Sequence, residues 1–201
     1  MNPEQKRIQE REASILGKPP RIAPVTELTD EMRALTVPPP GYEQKVAKMP
    51  IMFGVLLHNL PLFRRYGGLM TYFLVDGALP LRDRELAVLR VAWLRQIPFV
   101  WGEHVAVGHR IGLTTEEIER VTEGSTAKGW SEHERAILGT AEELLENAMI
   151  SDETWAILTK SLNEKLLVEL LALIGQYQAL GYIQNSLRIP LFEANPGLSA
   201  R

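Results

Sequence analysis

The sequence predicts an all-α fold, and three observations support that prediction. From Pro50 onward, apolar residues recur at spacings of three and four, the pattern of helices with a buried face. No segment alternates convincingly between apolar and polar residues, and β-branched clusters are sparse, so strands are not expected. Several of the apolar segments begin with a helix-capping residue followed by acids, which the helix dipole favours there.

The first 49 residues are predicted to form an uneven arm. A short polar helix is expected over about 3–15, followed by Gly17–Pro20, which must be extended because each residue before a proline is pushed out of the helical region. One or two helical turns are expected around Thr29–Arg33, ended by Pro38–Gly41. Such an arm buries little by itself, so it either wraps its own domain or lies on a neighbouring subunit. We therefore divide the chain into an arm, residues 1–49, and a helical domain, residues 50–201.

The helical domain is predicted to be a succession of helices. Its first two are Ile51–His58 and Leu62–Leu74, with Pro61 at a helix start between them. Thr114 and Ser151 are predicted N-caps, and Ser131 with a glutamate three residues later matches the capping box. The later helices are expected over about 82–95, 99–111, 115–122, 131–148, 151–160 and 163–188.

Length, charge and composition argue against several classes of protein. A chain of 201 residues fits one domain with a sizeable core. The net charge is −3 and the basic residues are scattered, so a nucleic-acid partner is not expected. The longest apolar stretches, such as Leu166–Ile174, carry a charge or are too short to cross a bilayer. Because the polar N-terminus does not resemble a signal peptide, we expect a cytoplasmic protein without membrane contact.

The absence of cysteine is the most restrictive feature of the composition. It removes thiol nucleophiles, disulfides, redox pairs and cysteine-ligated metals together. The four histidines show neither HxH nor HExxH spacing, and Glu103 with His104 alone would leave a metal short of ligands. We expect neither a protein-bound metal nor a cofactor.

A carboxylate and an imidazole lie on the apolar faces of two consecutive predicted helices. Glu85 shares its face with Val88 and Leu89, and His104 shares its face with Trp101. The intervening loop is short, so the two helices should be antiparallel neighbours. A buried carboxylate is costly unless it has a partner. This is the only place where two groups suited to proton transfer both fall on faces expected to be buried, since every other charge cluster indicates solvated helix surface.

Two interpretations of Glu85 and His104 are open at this point. They form a satisfied buried polar pair, or contact two different neighbours, with a purely structural role. Alternatively, Glu85 orients and polarises His104, which then moves protons near neutral pH.

Four further residues are candidates for substrate binding, each with a structural alternative. Trp101 would line an aromatic-binding pocket or belong to the core. Arg90 would hold a substrate carboxylate with two hydrogen bonds or form a surface salt bridge. Glu103 would serve the pocket or lie at the surface or between subunits. His109 would contact substrate or lie at the edge of its helix.

The stretch that carries a family resemblance is LPLRDRELAVLRVAWLRQIPFVWGEHVAVGHRIGLTTEEI. It resembles the carboxymuconolactone decarboxylase family, which includes the AhpD-like alkylhydroperoxidases, and the likeness extends over about residues 50–191. The peroxidase branch carries the pattern E-x11-C-x2-C-x3-H. Glu85 and His104 match its first and last positions, whereas Ile97 and Val100 occupy the two cysteine positions. The larger cysteine-free members have a helix similar to Y-E-W-x-H-H where this chain has residues 99–104.

The resemblance implies an AhpD-like helical bundle, but the departures exclude its thiol chemistry. A peroxidatic reaction of that type needs a thiolate and a second, resolving thiol. What remains is a proton-handling pair, consistent with the decarboxylase side of the family. We therefore expect a cofactor-free acid/base enzyme that decarboxylates or isomerises a small carboxylated or lactone compound from aromatic catabolism, with His104 transferring the proton and Glu85 orienting it. One alternative is a non-enzymatic protein on this fold that binds small molecules or serves in assembly. The other is the peroxidase label of the family, which the absence of cysteine contradicts.

The resemblance also implies self-association as dimers that build trimers or hexamers. Two features of the sequence agree with it. The proline-rich arm over residues 17–41 has no core of its own, and the helix within Leu166–Leu191 is apolar on more than one face, as expected where another chain covers it.

Overall fold

The computed structural model describes residues 3–37 and 49–201, and the regular structure within them is helical throughout. No strand occurs in these ranges, so the all-α prediction is confirmed. Shorter helical turns lie at Leu57–Asn59, Tyr72–Asp76 and Gly197–Ser199. The helices are α1 (Pro3–Leu16), α2 (Asp30–Leu35), α3 (Ile51–Leu56), α4 (Leu60–Thr71), α5 (Leu81–Leu94), α6 (Pro98–Arg110), α7 (Thr115–Glu123), α8 (Glu132–Asn147), α9 (Asp152–Leu158) and α10 (Glu164–Leu187).

Helix α5 lies at the centre of the molecule. It packs against α6, α7, α8 and α10, and every residue from Glu85 to Trp93 is buried. Neighbours therefore surround most of this helix, as its apolar sequence requires. A polar side chain on α5 consequently has to find its partners inside the protein.

The helix starts follow the capping signals in the sequence. Ser131 and Glu134 form the predicted reciprocal capping box at α8, and Thr114 forms a second one with Glu117 at α7. The Ser151 side chain accepts from the Thr154 amide at the start of α9, as predicted. From α5 to α10, the observed ends agree with the predicted ones within two residues.

The segment from 51 to 76 is more broken than the sequence predicted. The first predicted helix ends at Leu56 and continues as a 3₁₀ turn, after which the Asn59 side chain caps α4 by accepting from the Leu62 amide. The second ends at Thr71 and widens into the π-helical turn Tyr72–Asp76. Its last backbone bond joins the Gly77 amide to the Tyr72 carbonyl over 2.7 Å. This wide turn places backbone carbonyls beside α5.

The described part of the arm lies on its own domain. Ile8 and Ile15 of α1 are buried in the core, and the Val25 amide donates to the Gly54 carbonyl over 3.0 Å. The predicted stop at Pro38–Gly41 lies outside the described residues, and the boundary between arm and domain stays a prediction.

Within the described chain, α10 is the one helix long and apolar enough to cross a membrane by length and composition. Half of its most apolar window is buried inside the protein, where it packs against α5 and α8. A core helix passes the same test of length and composition. The apolar residues on the face of α10 that packs against α5 and α8 are therefore core residues.

Candidate functional site

The structure brings Glu85 and His104 into direct contact. The two helices that carry them, α5 and α6, pack against each other across a short loop. Glu85 Oε2 lies 2.6 Å from His104 Nδ1. Glu85 is fully buried, and only 7% of His104 is exposed. The pair is therefore a desolvated carboxylate–imidazole contact inside the helical core.

The second carboxylate oxygen of Glu85 is held by Arg84. Arg84 Nε donates to Glu85 Oε1 over 2.8 Å. The same guanidinium donates from Nη1 to the carbonyl oxygens of Phe73 and Leu74, at 3.3 and 3.4 Å. Those carbonyls belong to the π-helical turn after α4, a distortion that is frequent at functional sites. Arg84 thus links this turn to the buried carboxylate.

The surroundings of Glu85 favour its ionised form. Burial would raise the pKa of Glu85, but the charges and hydrogen bonds of His104 and Arg84 outweigh burial, and the pKa is lowered. An ionised carboxylate can only accept hydrogen bonds, so His104 Nδ1 must carry the hydrogen between the two residues. The tautomer of neutral His104 is then fixed, and Nε2 is the nitrogen that can take up and release a proton.

Tyr177 of α10 forms another wall of the site. Its ring meets the His104 imidazole edge to face, with centroids 5.0 Å apart and an interplanar angle of 86°. Sequence reasoning gave Tyr177 no role in the site. A signal was present in the sequence, because Gln176 and Tyr177 are among the few polar insertions in a mostly apolar helix.

Two buried polar atoms, one on α10 beside Tyr177 in the sequence and one on α4, have no hydrogen-bond partner of normal geometry. They are Gln176 Nε2 and the hydroxyl oxygen of Tyr66, which lies on α4. Burial raises the pKa of Tyr66, and an interaction with the Gln176 side chain offsets part of that increase, so the two groups are close. Unsatisfied buried polar atoms are costly and rare. Together they are candidates for contact with a polar group of a ligand.

The positions of the two family cysteines are filled with hydrocarbon. Ile97 is completely buried, and only 2% of Val100 is exposed. Gly181 of α10 faces Ile97 so closely that a methyl group at this glycine would overlap the isoleucine side chain. Tight apolar packing therefore occupies the place where the peroxidase branch carries its thiols.

The structure gives Trp101 and Arg90 structural contacts. Trp101 is fully buried, its indole N–H donates to the Ala200 carbonyl over 3.0 Å, and its ring packs on Trp93. Arg90 forms a salt bridge with Glu142, as its structural alternative predicted, but the bridge does not lie at the surface, because only 7% of Arg90 is exposed. Its guanidinium donates to Glu142 over 2.7 Å and to two carbonyls at the end of α7 over 2.9 Å.

Glu103 and His109 contact the C-terminal tail. Glu103 accepts from Asn195 Nδ2 over 2.9 Å. His109 Nε2 lies 3.1 Å from the Arg201 carbonyl oxygen, and its Nδ1 lies 3.1 Å from that of Leu113. None of the four expected substrate-binding residues hydrogen-bonds to Glu85 or His104. Within the described chain, Arg84 and Tyr177 are the residues in contact with the pair that sequence reasoning missed.

A second buried polar chain was also missed. Asp83 is one of the charges that were interpreted as solvated helix surface, but it is 6% exposed and its Oδ2 lies 2.8 Å from His133 Nε2. His133 Nδ1 in turn lies 2.9 Å from the Ser161 hydroxyl oxygen. The interpretation of every other charge cluster as solvated surface was therefore wrong. This chain ties α5 and α8 to the turn after α9.

In the ranges 3–37 and 49–201, no group of three or more histidine, aspartate or glutamate side chains is placed to hold a metal ion. Glu85 and His104 face each other and Arg84 rather than a common point. What their arrangement offers chemically is the transfer of a proton through His104 Nε2.

Residues 60–143 match the family model described as the carboxymuconolactone decarboxylase family. The match includes Glu85, His104 and all of α5 and α6. No curated protein matches the chain.

Solved structures with an AhpD-like helical fold are similar to this chain. One is the debrominase Bmp8 in complex with 2,3,4-tribromopyrrole, with a TM-score of 0.69 and 17% identity over 88% of this chain and 96% of that chain. An uncharacterised peroxidase-related protein from Ralstonia eutropha JMP134 has a TM-score of 0.71 and 18% identity over 88% and 94%. Another, from Silicibacter sp. TM1040, has a TM-score of 0.72 and 12% identity over 89% and 96%. At these identities the likeness concerns the fold.

Proposed function

We propose that this chain, whose residues 60–143 belong to the carboxymuconolactone decarboxylase family, is a cytoplasmic, cofactor-free acid/base enzyme. It acts on a small carboxylated or lactone compound, by decarboxylation or isomerisation. The observation that carries the proposal is the 2.6 Å contact between His104 Nδ1 and the buried, ionised Glu85. A histidine held in this way presents one nitrogen, Nε2, for proton transfer.

The contacts of each residue at the site indicate its proposed role. His104 is the proposed catalytic residue, because its Nε2 is not the nitrogen bound to Glu85. Glu85 is a positioning residue that fixes the tautomer and the orientation of the imidazole. Arg84 positions Glu85 in turn, since it binds the second carboxylate oxygen over 2.8 Å. Gln176 and Tyr66 are proposed to bind a polar group of the substrate, because each carries a buried polar atom without a hydrogen-bond partner of normal geometry.

A decarboxylation at this site balances without a cofactor. The bond between the carboxylate carbon and its neighbour breaks, carbon dioxide leaves, and the electron pair stays on the neighbouring carbon as a carbanion or enolate. The His104 imidazolium then donates its Nε2 proton to that carbon, and water returns a proton to the imidazole. General acid catalysis of this kind contributes about 10²–10⁴-fold to the rate. Isomerisation requires the same group, first as base and then as acid.

Thiol-dependent peroxide reduction is excluded for this chain by its composition. The sequence contains no cysteine, and buried Ile97 and Val100 fill the corresponding positions. The resemblance to the peroxidase branch therefore does not extend to thiol-dependent peroxide reduction.

One observation favours a second candidate, a non-enzymatic small-molecule binding or assembly protein. The four residues expected to bind substrate, Trp101, Arg90, Glu103 and His109, are all engaged in contacts that hold other parts of the chain. A protein that kept the fold for binding alone would show the same contacts. The two candidate functions can be told apart, because only the enzyme would convert a substrate to a product.

The test is an assay of carboxylated lactones and aromatic carboxylates, with carbon dioxide release and product structure as readouts. The proposal expects turnover by the natural chain that His104→Gln reduces at least about tenfold. A matched control is His58→Gln, because His58 is exposed and contacts the Ala23 carbonyl away from the pair. Compounds that raise the melting temperature without any turnover would favour the binding protein. Turnover unchanged in His104→Gln would overturn the proposed role of His104.

A further inference from the structure

Helix α4 contains two consecutive glycines that the packing of the described residues does not require. A methyl group at Gly67 or at Gly68 would meet no atom of those residues within 4 Å, and neither glycine has a positive φ. Glycine in the interior of a helix is less stable than alanine, because it loses more conformational freedom on folding. The two glycines therefore keep one face of α4 free of side chains even though this destabilises the helix.

That face of α4 is one wall of a cavity of about 350 Å³, which we call the α4 cavity. Both glycines line it, and its apolar walls come from α2, α3, α4 and the turn after α4, with Leu35, Phe53, Phe63, Met70 and Leu74. Phe63 is 3% exposed, and its ring meets that of Phe53 edge to face, with centroids 5.4 Å apart. Cavities of about 300 Å³ and more accommodate small ligands. The α4 cavity is therefore large enough for a small molecule, and packed rings form part of its wall.

The walls of the α4 cavity favour an aromatic ring. Phenylalanine rings such as those of Phe53 and Phe63 attract a further ring in edge-to-face or offset contact. The thioether of Met70, which also lines the cavity, is a group that packs favourably against the edge of a ring. At Gly67 and Gly68 the wall is bare backbone, so a flat group can approach the helix closely. The shape and the chemistry of the walls therefore agree on a flat, aromatic occupant.

The charge at the α4 cavity is balanced, and one hydroxyl is available. Arg64 is the one charged residue among the described residues that line the cavity, and its guanidinium pairs with Glu31. The Thr36 hydroxyl donates to backbone carbonyls of α2, whereas no described residue hydrogen-bonds to the hydroxyl of Thr71. An ionised ligand would leave its charge unpaired among apolar walls. The occupant is therefore expected to be uncharged, with one polar group for Thr71.

We propose that the α4 cavity is a binding site for an uncharged small molecule built on an aromatic ring, whose single hydroxyl or carbonyl group hydrogen-bonds to Thr71. Neither Glu85 nor His104 lines this cavity, so it is a separate site from the candidate proton-transfer pair. The two sites meet at the π-helical turn after α4, because Leu74 lines the cavity and its carbonyl accepts from Arg84 Nη1 over 3.4 Å. The inference does not depend on the proposed enzymatic function.

Titration calorimetry with p-cresol tests the site, because p-cresol is an uncharged ring with one hydroxyl near neutral pH. The natural chain is expected to bind one molecule per chain. Gly67→Leu is expected to weaken binding at least about tenfold, because the added side chain occupies part of the cavity, and to fold, because leucine favours a helix more than glycine does. The matched control is Gly175→Leu, which places the same side chain at an exposed glycine of α10 that does not line the cavity. No binding by the natural chain, or equal binding by Gly67→Leu, would overturn the proposal.

Two further probes test the chemistry of the occupant. The anion p-toluate carries a carboxylate in place of the hydroxyl, and it is expected to bind at least about tenfold more weakly than p-cresol. Thr71→Val keeps the shape of the side chain without its hydroxyl, so it is expected to weaken p-cresol binding about three- to tenfold and to leave toluene binding unchanged. Equal affinities for p-cresol and p-toluate, or equal effects of Thr71→Val on p-cresol and toluene, would contradict the assigned chemistry. Binding that is lost in His104→Gln but kept in Gly67→Leu would place the ligand beside the imidazole and overturn the proposal.

Discussion

Glu85 Oε2 and His104 Nδ1 lie 2.6 Å apart, joining two helices through a carboxylate that is completely buried. Arg84 holds the other oxygen of the same carboxylate. Arg84, Glu85 and His104 therefore form a continuous hydrogen-bonded chain, which begins at the backbone carbonyls of the π-helical turn after α4 and ends at the imidazole. The function proposed for this protein depends on that hydrogen-bonded chain.

The Glu85→Gln variant is expected to lose less stability in acid than the natural chain. The folded-state pKa of Glu85 lies below its ordinary value of 4.5, so the unfolded chain binds this proton more readily as the pH falls. The stabilisation is therefore fully present above about pH 4.5 and is lost as the pH falls through the lowered pKa. Urea unfolding near neutral pH and near pH 4 measures the difference. Parallel losses of unfolding free energy in both proteins would contradict the assignment.

The Arg84→Gln variant is expected to weaken both stability and turnover. It removes the hydrogen bonds from the guanidinium to Glu85 and to the Phe73 and Leu74 carbonyls. Loss of a hydrogen bond to a charged group lowers the free energy of unfolding by about 1.5–3 kcal/mol. Arg110→Gln is the control, because Arg110 is exposed at the end of α6 and surface changes stay within about 0.5 kcal/mol. Equal effects of the two variants on unfolding would show that Arg84 does not brace the site.

The Gln176→Leu variant separates ligand binding from stability. Gln176 Nε2 is buried without a hydrogen-bond partner, so an apolar side chain of similar shape should leave the melting temperature unchanged or raise it. On a confirmed substrate, KM should increase while the fold is intact. Gln178→Leu is the matched control, because Gln178 Oε1 accepts from Arg95 Nε over 2.7 Å. That variant should melt at a lower temperature with KM unchanged, and the opposite pattern would refute the assignment of Gln176.

The chain from Asp83 through His133 to Ser161 is predicted to be structural. Asp83→Asn should lower the free energy of unfolding by about 1–3 kcal/mol, because it weakens a buried charged hydrogen bond between α5 and α8. Ser161→Ala should cost less, since Ser161 is exposed. Thermal unfolding measures both effects. Loss of turnover in folded Ser161→Ala would mean that this hydroxyl takes part in the reaction.

Local signals in the sequence were sufficient to predict most of the fold. Ser131 and Glu134 lie three residues apart and fix the start of α8 through bonds between neighbours in the chain. The pair of Glu85 and His104 was also predictable, because each is a polar residue on an apolar face and a short loop joins the two helices. Its catalytic role stays a prediction.

The partners of that pair were harder to predict, for physical reasons. Arg84 and Glu85 are adjacent, and adjacent residues on a helix do not face each other, so a bond between them depends on a long side chain folding back. The Phe73 and Leu74 carbonyls are available only because α4 ends in a π-helical turn. Arg90 contacts α7 and α8, more than thirty residues away, and no local pattern in the sequence indicates contacts over that distance.

The most direct test of the proton-transfer account is a double-mutant cycle on a confirmed substrate. Glu85→Gln and His104→Gln are made singly and together, and kcat/KM is measured for all four proteins alongside thermal unfolding. The account predicts that each single change reduces kcat/KM at least about tenfold and that the double variant is no worse than His104→Gln alone. Such non-additivity means that the two residues act as a unit. If both single variants are folded and keep full turnover, His104 does not transfer the proton and the account is wrong.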